Sequence, residues 1–305
     1  MKNFNIYMVG SLIAMASVLV VSCKETDNPN NLPEVDPRDY EGKIEGYNNA
    51  DEVYPRNLKA HWTFDDINTE VKTGTAPTQT ANASYVAGVK GKAIRLENGY
   101  LYYATQLPAF KTDSLKSFTI STWVQILNNG SKRTMLFQLA RPGQFNGSIN
   151  FILNTNAFPA SNTNELKINP TFVTVTGGTQ DNVNTERDKP GQPNYFPYLT
   201  PKIGANKWTH IALTYESATG LFYIWADGRQ VGAFSSRGVG NSLFKAYEPS
   251  EIIIGGNYNV IPGKAVNADT NFAAMTGNID EIRIYNLALS EAHITALYKL
   301  GLAGK

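Results

Sequence analysis

Acidic and histidine side chains, the groups that most often move protons in hydrolytic enzymes, are poorly spaced for catalysis in this chain. Asp65-Asp66 and Asp280-Glu281 are adjacent pairs, and neighbouring residues of a strand point to opposite faces. Neither pair therefore supplies the two carboxylates, about 5–5.5 Å apart on one face, that a retaining glycosidase needs. Of His61, His210 and His293, His210 alternates with aliphatic residues and is interpreted as structural. No Gly-x-Ser-x-Gly elbow is present, although composition alone leaves a Ser-His-Asp triad open.

Aromatic rings near asparagine side chains favour a different chemistry, the binding of sugars. Sugars place apolar C–H faces on aromatic rings, while amides and carboxylates hydrogen-bond their hydroxyl groups. Long polar stretches at 154–205 and 235–249 supply several of these rings, and long loops in compact domains are often functional. Packing in the core stays the alternative for each ring. The candidate glycan-binding residues are Tyr195, Phe196, Tyr198, Trp225, Tyr247, Asn257 and Tyr258.

The single cysteine, Cys23, closes an apolar segment at the start of the chain. Lys2 supplies a positive charge, and the run Ile6–Val21 is too short for a membrane-spanning helix, so residues 1–22 are predicted to be a signal peptide. The sequence Val20-Val21-Ser22-Cys23 resembles the lipobox of bacterial lipoproteins, in which the cysteine thiol is acylated and becomes the new N-terminus. Acyl chains then anchor the protein by burying their CH2 groups. An ordinary secreted protein with a stray cysteine is the alternative.

Residues 23–56 are predicted to form a lipidated, flexible tether. They are rich in Asn, Pro and acidic residues and have no hydrophobic period. Lys24-Glu25-Thr26-Asp27 resembles the short charged signal that sends some lipoproteins to the outer face of the cell. The sequence therefore predicts a lipid-anchored protein of the outer membrane that faces the cell surface.

Composition excludes several other classes of protein. The chain has 305 residues, 42% of them hydrophobic, and a formal net charge of +1. A nucleic-acid-binding protein would show a basic balance or stripe, so no nucleic-acid partner is expected. One cysteine excludes an intrachain disulfide framework and any zinc site with several cysteines.

Residues 57–305 have the pattern of one all-β domain. Roughly a dozen short runs of aromatic and β-branched residues alternate with turn signals. Asp227-Gly228 lies between two such runs and is typical of a two-residue hairpin, because a type I′ turn needs positive φ. Only the tail Ser290–Lys299 has helical spacing, with Ser290 as its N-cap. The pattern predicts an all-β, two-sheet antiparallel jelly-roll sandwich with a short C-terminal helix.

Several segments resemble the strands of laminin-G-like jelly-roll domains, in the order of that family and over nearly all of 57–305. They are LKAHWTFD from Leu58, GKAIRL from Gly91, FTISTWV from Phe118, WTHIALTY from Trp208, IWADGR from Ile224 and GNIDEIRIYNLALS from Gly277. The resemblance implies a concanavalin A-like lectin/glucanase fold, which lectins, carbohydrate-binding modules, glycoside hydrolases and lyases share. The Glu-x-Asp-x-Glu strand of its glycosidases and the Gln-x-His strand of its lyases are not found in the sequence. Fold alone does not settle function.

The resemblance also implies a structural Ca2+ where the first and last strands meet, with Asp65 and Asp280 as ligands. Asp280 shares the alternation of Ile282 and Ile284 and is expected to point inward. A buried carboxylate is costly unless it is paired or binds a metal. The alternative is that Asp280 accepts backbone N–H groups or pairs with Arg or Lys. No other cofactor is expected.

The leading hypothesis is a lipid-anchored, lectin-like protein of the cell surface that assists the capture of a glycan or polysaccharide. Its expected partners are that glycan, the outer membrane and an outer-membrane import complex. One alternative is a glycoside hydrolase or polysaccharide lyase of the same superfamily with an unrecognised site. The other is a protein-adhesion module. No residue is assigned a catalytic role.

The lipid anchor is testable at one residue. Cys23→Ala removes the thiol that acylation requires, so the variant should carry no acyl label and should be released from the membrane. Metabolic labelling with a fatty-acid probe and membrane fractionation measure both effects, with Cys23→Ser as a matched variant. Acyl label on either variant would contradict the lipoprotein hypothesis.

Overall fold

The structure, a computed structural model, describes residues 42–111, 114–174, 179–180, 207–234, 245–246 and 250–305. These residues contain fourteen strands, one α-helix and three short 3-10 helices. The strands are β1 Leu58–Trp62, β2 Gln79–Ala87, β3 Lys92–Tyr103, β4 Phe118–Gln125, β5 Arg133–Ala140, β6 Ile149–Leu153, β7 Thr171–Val173, β8 Thr179–Gln180, β9 Thr209–Glu216, β10 Leu221–Ala226, β11 Arg229–Phe234, β12 Glu251–Ile254, β13 Phe272–Ala273 and β14 Met275–Tyr285. The helix, α1, spans Glu291–Leu302. No helix in the described ranges is long and apolar enough to cross a bilayer.

The strands hydrogen-bond in the order β11-β10-β9-β4-β14-β3-β12-β5-β6-β7-β8. β1 pairs with β14 and β2 with β3, all antiparallel, while the short β13 runs parallel to β5. Residues 275–279 of β14 pair with β3, and this pair joins the two halves of the sheet. The halves curl over one apolar core to which strands of both contribute. The all-β antiparallel fold and the C-terminal helix are therefore confirmed, with the two predicted sheets continuous through β14 and β3.

The β10–β11 connection is the predicted hairpin. Asp227 and Gly228 have φ of 48° and 75°, the two positive values that a type I′ turn requires. The turn lies directly between Ala226 and Arg229, which are paired across the two strands. The short-range turn signal in the sequence was sufficient to predict this element.

A β-bulge divides β14. Asp280 is paired with Trp123 of β4 and Arg283 with Ser121, so two residues of β14 face the single Thr122. Glu281, the first of the two, has φ of 51°, a left-handed conformation that is unusual for a residue with a Cβ. Such an extra residue inverts the alternation of the strand.

The bulge corrects the predicted orientation of Asp280. Ile279 and Ile282, three residues apart, both lie in the core. Asp280 therefore does not share the inward side of Ile282; its carboxylate instead accepts hydrogen bonds from the turn between β2 and β3. The prediction failed because period-2 counting back from Ile282 passes through the inserted residue.

An ion network lies on the outer side of the bulge. The Arg283 guanidinium, 2% exposed, donates to the Glu281 carboxylate and to Asp51 Oδ1 at 2.7 Å. His61 Nε2 lies 3.1 Å from Glu281 Oε2. Burial opposes ionisation of Glu281, but the hydrogen bond from His61 and the charge of Arg283 outweigh it and hold its pKa below the ordinary value. The network links β1, β14 and the segment that precedes β1.

That preceding segment corrects the predicted domain boundary. Residues 42–305 form one compact unit, so the folded domain begins at Gly42 rather than at residue 57. Val53 is fully buried, and with Ala50 it belongs to a second apolar cluster that includes Leu297 and Leu300 of α1. Sequence alone places residues 42–56 in the flexible tether, because one short turn with two small apolar residues carries no periodicity.

The buried network gives a test of the fold. Arg283→Ala leaves the Glu281 carboxylate buried without its cation, and breaking a buried pair from one side costs about 3–5 kcal/mol. Urea denaturation should therefore show a loss of this size in the free energy of unfolding. The exposed Arg229→Ala is the matched control and should stay within about 0.5 kcal/mol of the wild type. Equal stability of the two variants would contradict the assigned role of Arg283.

Candidate functional site: an amide-rich groove

Three polar residues form a row across the outer face of the sheet, where its two halves join. Arg95 of β3 is paired with Asn278 of β14, and Asn278 is paired with Gln125 of β4. Residues that are directly opposite on neighbouring strands share a face, with side chains close enough to interact. Leu96 and Ile279, one step along their strands, are fully buried in the core, so the row points away from it.

The row lies in a groove of about 430 Å³, within the range of about 300–1,000 Å³ typical of small-molecule sites. We call it the amide groove because amide side chains dominate its polar lining. The polar residues are Arg95, Asn98, Gln125, Asn128, Asn129, Thr134, Thr155, Thr276 and Asn278, and the apolar ones include Leu96, Ile126, Leu127, Ala273 and Ala274.

The two central amides are coupled to each other. Asn278 Nδ2 donates to Gln125 Oε1 at 2.6 Å. This bond orients both side chains and leaves Gln125 Nε2 as a donor and Asn278 Oδ1 as an acceptor for a ligand. The groove therefore presents adjacent hydrogen-bonding groups of opposite type, held in place by the pairing of β4 with β14.

Asn128 contributes an acceptor without a partner. Its Nδ2 donates to the carbonyls of Asn162 and Glu165 at 2.9 and 2.7 Å, which fixes the orientation of the amide. Its Oδ1 is buried and has no hydrogen-bond partner among the described residues. An unsatisfied buried acceptor costs free energy and marks a place where a water or ligand hydroxyl can donate.

The wall of the groove after β4 is held by Asn129. Its Oδ1 accepts the backbone N–H groups of Ser131 and Lys132, both at 2.8 Å, and its Nδ2 donates to Thr155 Oγ1 at 3.1 Å. Gly130 follows with φ of 69°, which glycine adopts without steric cost. Asn129 thus has a structural role, and the polar groups available to a ligand are those of the row and Asn128 Oδ1.

The charge of the groove is low. Arg95 is the one ionisable residue in its described lining, and its Nη2 lies 2.7 Å from Glu97 Oε1. Both side chains are more than half exposed, so the pair is worth little to stability. The described lining supplies amide, hydroxyl and guanidinium groups, which can hydrogen-bond a polyhydroxylated molecule.

The sequence-predicted loop aromatics cannot be placed. Tyr195, Phe196, Tyr198 and Tyr247 lie outside the described residues, and so does Cys23. Their roles stay predictions.

The other predicted ligand contacts lie inside the protein. Trp225 is 4% exposed, and its Nε1 donates to Thr214 Oγ1 at 2.9 Å. Asn257 is fully buried and caps a short turn through the N–H of Asn259. Tyr258, 3% exposed, donates to Glu251 Oε2 at 2.5 Å. All three side chains are thus buried, which is the packing alternative given for each ring, and their contact with a glycan stays a prediction.

The predicted calcium ligands, Asp65 and Asp280, both accept backbone N–H groups from the connection between β2 and β3 or from the first residue of β3. Asp280 Oδ2 accepts the N–H groups of Val89 and Lys90 at 2.8 and 3.0 Å, and Asp65 Oδ1 accepts that of Lys92 at 2.7 Å. Burial raises the pKa of Asp280 to about 7. N–H groups directed at these oxygens oppose a cation, and no group of three or more His, Cys, Asp or Glu residues suited to a metal occurs among the described residues. These contacts do not fit a shared calcium ion, and calcium binding stays a prediction.

His210 has the structural role that its alternation predicted. Its Nε2 lies 2.8 Å from Ser121 Oγ, and its ring contacts Trp123 with centroids 5.2 Å apart. The histidine is 1% exposed, and burial lowers its pKa to about 3. A serine beside a histidine suggests a nucleophile, but both are buried, and the Asp227 carboxylate accepts the backbone N–H of His210 rather than a ring N–H. The described contacts do not form a catalytic triad.

Sequence reasoning missed the residues of the amide groove. Arg95, Gln125 and Asn278 are separated by 30 residues or more in the chain, and only the register of three strands brings them together. The one local signal is that each of these three polar residues is next in sequence to a core residue of its strand.

Comparison with known proteins agrees with the fold. A laminin G model described as the concanavalin A-like lectin/glucanases superfamily matches residues 98–295, which confirms the resemblance drawn from the sequence. C-reactive protein of Rattus norvegicus is 33% identical over 95 residues, covering 30% of this chain and 36% of that protein. The chain thus matches about a third of this curated relative.

Solved structures give the same picture. The binding domain of Paraclostridial Mosquitocidal Protein 1 is similar with a TM-score of 0.52 and 19% identity, over 80% of this chain and 52% of that one. Domain 4 of AbnA, a GH43 extracellular arabinanase of Geobacillus stearothermophilus, gives 0.49 and 17%, over 79% and 98%. At 19% identity, the likeness to the binding domain of Paraclostridial Mosquitocidal Protein 1 concerns the fold alone.

Burial of His210 predicts a pH dependence of stability. The unfolded chain protonates this histidine below pH 6.5 whereas the folded chain does not, so the free energy of unfolding falls as pH drops from 6.5 toward 3. The contribution approaches about 1.4 kcal/mol per pH unit. In His210→Gln, which keeps a partner for Ser121, urea denaturation between pH 7 and 4.5 should show a shallower decline. His293→Gln, at a partly exposed position, should change the slope less; parallel profiles for wild type and His210→Gln would contradict this account.

Proposed function

The chain belongs to the concanavalin A-like lectin/glucanases superfamily, and from this premise we propose that it is a carbohydrate-binding protein whose amide groove holds the glycan. The observation that carries the proposal is the row formed by Arg95, Asn278 and Gln125, paired across three strands inside the groove. The superfamily contains both binding and hydrolytic proteins, so the choice between them depends on the side chains of the site.

The spacing of the row suits a sugar chain. Neighbouring strands lie roughly 4.8 Å apart, so the row spans about two strand spacings, close to the length of one or two sugar rings. Gln125 Nε2 donates and Asn278 Oδ1 accepts, while the Arg95 guanidinium adds further donors. Adjacent hydroxyl groups of a pyranose can engage donor and acceptor together. The apolar residues beside the row, such as Leu127 and Ala274, can contact the C–H groups of the sugar.

A binding role is favoured over hydrolysis in this groove. Glycoside hydrolysis needs two positioned carboxylates, and the described lining contains none. Asp280 and Glu281, the adjacent acids of β14, are instead committed to backbone amides and to Arg283. A glycoside hydrolase or lyase of the same superfamily stays the alternative function, and a protein-adhesion module is the second.

The proposal extends to the place of action. We propose a lipid-anchored protein of the outer membrane that faces the cell surface and captures a polysaccharide beside an import complex. Support comes from the sequence, where the apolar segment ends at Cys23 and an acidic, Asn- and Pro-rich stretch follows. Such a stretch would hold the folded domain away from the bilayer.

Removal of the central amides tests the proposed site. A lost neutral hydrogen bond costs about 0.5–1.5 kcal/mol, so Gln125→Ala and Asn278→Ala should each weaken polysaccharide binding by roughly two- to tenfold, and the double variant by more. Affinity electrophoresis in polysaccharide gels measures this, with thermal melts to confirm folding.

Gln144→Ala is the matched control, because this amide is exposed and lies away from the groove. It should bind like the wild type. A double variant that melts normally and retains full affinity would contradict the proposed site, and release of reducing ends or unsaturated products by the wild type would favour the enzymatic alternative.

A further inference from the structure

We propose that a second groove, on the other half of the sheet, binds a neutral pyranose ring by stacking it on Tyr223. This groove, of about 280 Å³, lies between the outer face of β9, β10 and β11 and the segment that enters α1. We call it the helix-side groove. The inference rests on the proposed function for the class of ligand, but it assigns a separate site with different chemistry.

The pleat of β10 directs its odd-numbered residues into this groove. Phe222 and Ile224 are fully buried in the main core, so Leu221, Tyr223 and Trp225 face the opposite side. These three outward residues line the groove. The face is the one that α1 partly covers, and the groove is the part that it leaves accessible.

The aromatic pair is rigid and only partly covered. The rings of Tyr223 and Trp225 meet edge to face, with centroids 5.9 Å apart and an angle of 87°, the geometry that aromatic pairs prefer. Trp225 is fixed by its hydrogen bond to Thr214 and is almost fully buried, whereas Tyr223 keeps intermediate exposure. Trp225 therefore supports Tyr223, and the tyrosine ring presents an apolar surface to a ligand.

Polar groups that can hydrogen-bond sugar hydroxyls line the same groove as that ring. Glu216 Oε1 accepts hydrogen bonds from Ser117 Oγ and from the N–H of Ala218, both at 3.1 Å, which orients the carboxylate and leaves Oε2 for a ligand. Gln230, opposite Trp225 on β11, adds an amide donor and acceptor. A stacked ring with hydroxyl groups at its edge would meet both.

The charge of the helix-side groove selects against acidic sugars. Glu216 and Glu291 line it, and no lysine or arginine is among its described lining residues. A uronate would face carboxylates without a cation, which disfavours binding. The ligand class is therefore a neutral pyranoside. With the amide groove as a first site, two contacts to one polysaccharide would raise the overall affinity through effective concentration.

Fluorescence and calorimetry with defined oligosaccharides test the second site. The full chain is titrated with cellohexaose, xylohexaose, mannohexaose and maltohexaose, and with hexagalacturonate as the acidic counterpart. Trp225 reports on the helix-side groove, so a neutral hexaose should change the tryptophan emission, and Trp225→Phe should abolish that change. Tyr223→Ala should weaken this binding about tenfold, whereas Tyr223→Phe, which keeps the ring, should bind like the wild type.

Variants separate this site from the amide groove. The Gln125→Ala/Asn278→Ala double variant should keep the Trp225-dependent signal. Gln230→Ala, a milder change than Tyr223→Ala, should weaken that signal and serves as the test if the tyrosine variant melts early. If the double variant keeps this signal and also binds polysaccharide like the wild type, the second site is supported and the amide groove is overturned as the binding site. Hexaose binding that the double variant abolishes, and that Tyr223→Ala and Gln230→Ala leave unchanged, would overturn the second site alone. Binding of no neutral hexaose would overturn both.

Discussion

The inserted residue in β14 is the constraint on which both the fold and the groove depend. Before the bulge, Asn278 and Asp280 point away from the core; after it, Ile282 and Ile284 point inward. If β14 ran through Glu281 as a regular strand without the bulge, period-2 alternation from Ile282 would turn Asn278 into the core and remove the centre of the polar row. The left-handed φ of Glu281 carries a local strain, and the ion network with Arg283 holds that residue in place.

Local patterns in the sequence were sufficient to predict the architecture. Alternating aromatic and β-branched runs predicted an all-β domain, Asp227-Gly228 predicted a hairpin, and the tail predicted one helix. Each signal acts over a few residues and needs no knowledge of the partner strand. The membership of residues 42–56 in the folded domain was not predictable in this way. Val53 and Ala50 are buried by packing against α1, which is remote in sequence.

The candidate site depends on long-range register, which local patterns do not contain. Gln125 and Asn278 are 153 residues apart and share a hydrogen bond only because β4 pairs with β14 in one register. The bulge that sets this register is not indicated by any local sequence pattern, since Asp280-Glu281 is an ordinary pair of acidic residues. The burial of Trp225 also depends on long-range contacts: alternation places it on the face of β10 opposite Phe222 and Ile224, and the residues that cover this face are remote in sequence. Orientation was predictable there, whereas exposure was not.

The central claim is that the groove at the junction of the two halves of the sheet holds the glycan, and hydrogen exchange of the protein with and without bound polysaccharide measures this most directly. The account predicts slower exchange on binding in residues 125–129 and 273–278, the segments that carry the polar row and the walls of the amide groove. Backbone amides of residues 143–145, between β5 and β6, line neither groove and should exchange at unchanged rates. If polysaccharide binds but residues 125–129 and 273–278 exchange at the same rate as in the free protein, the account is contradicted.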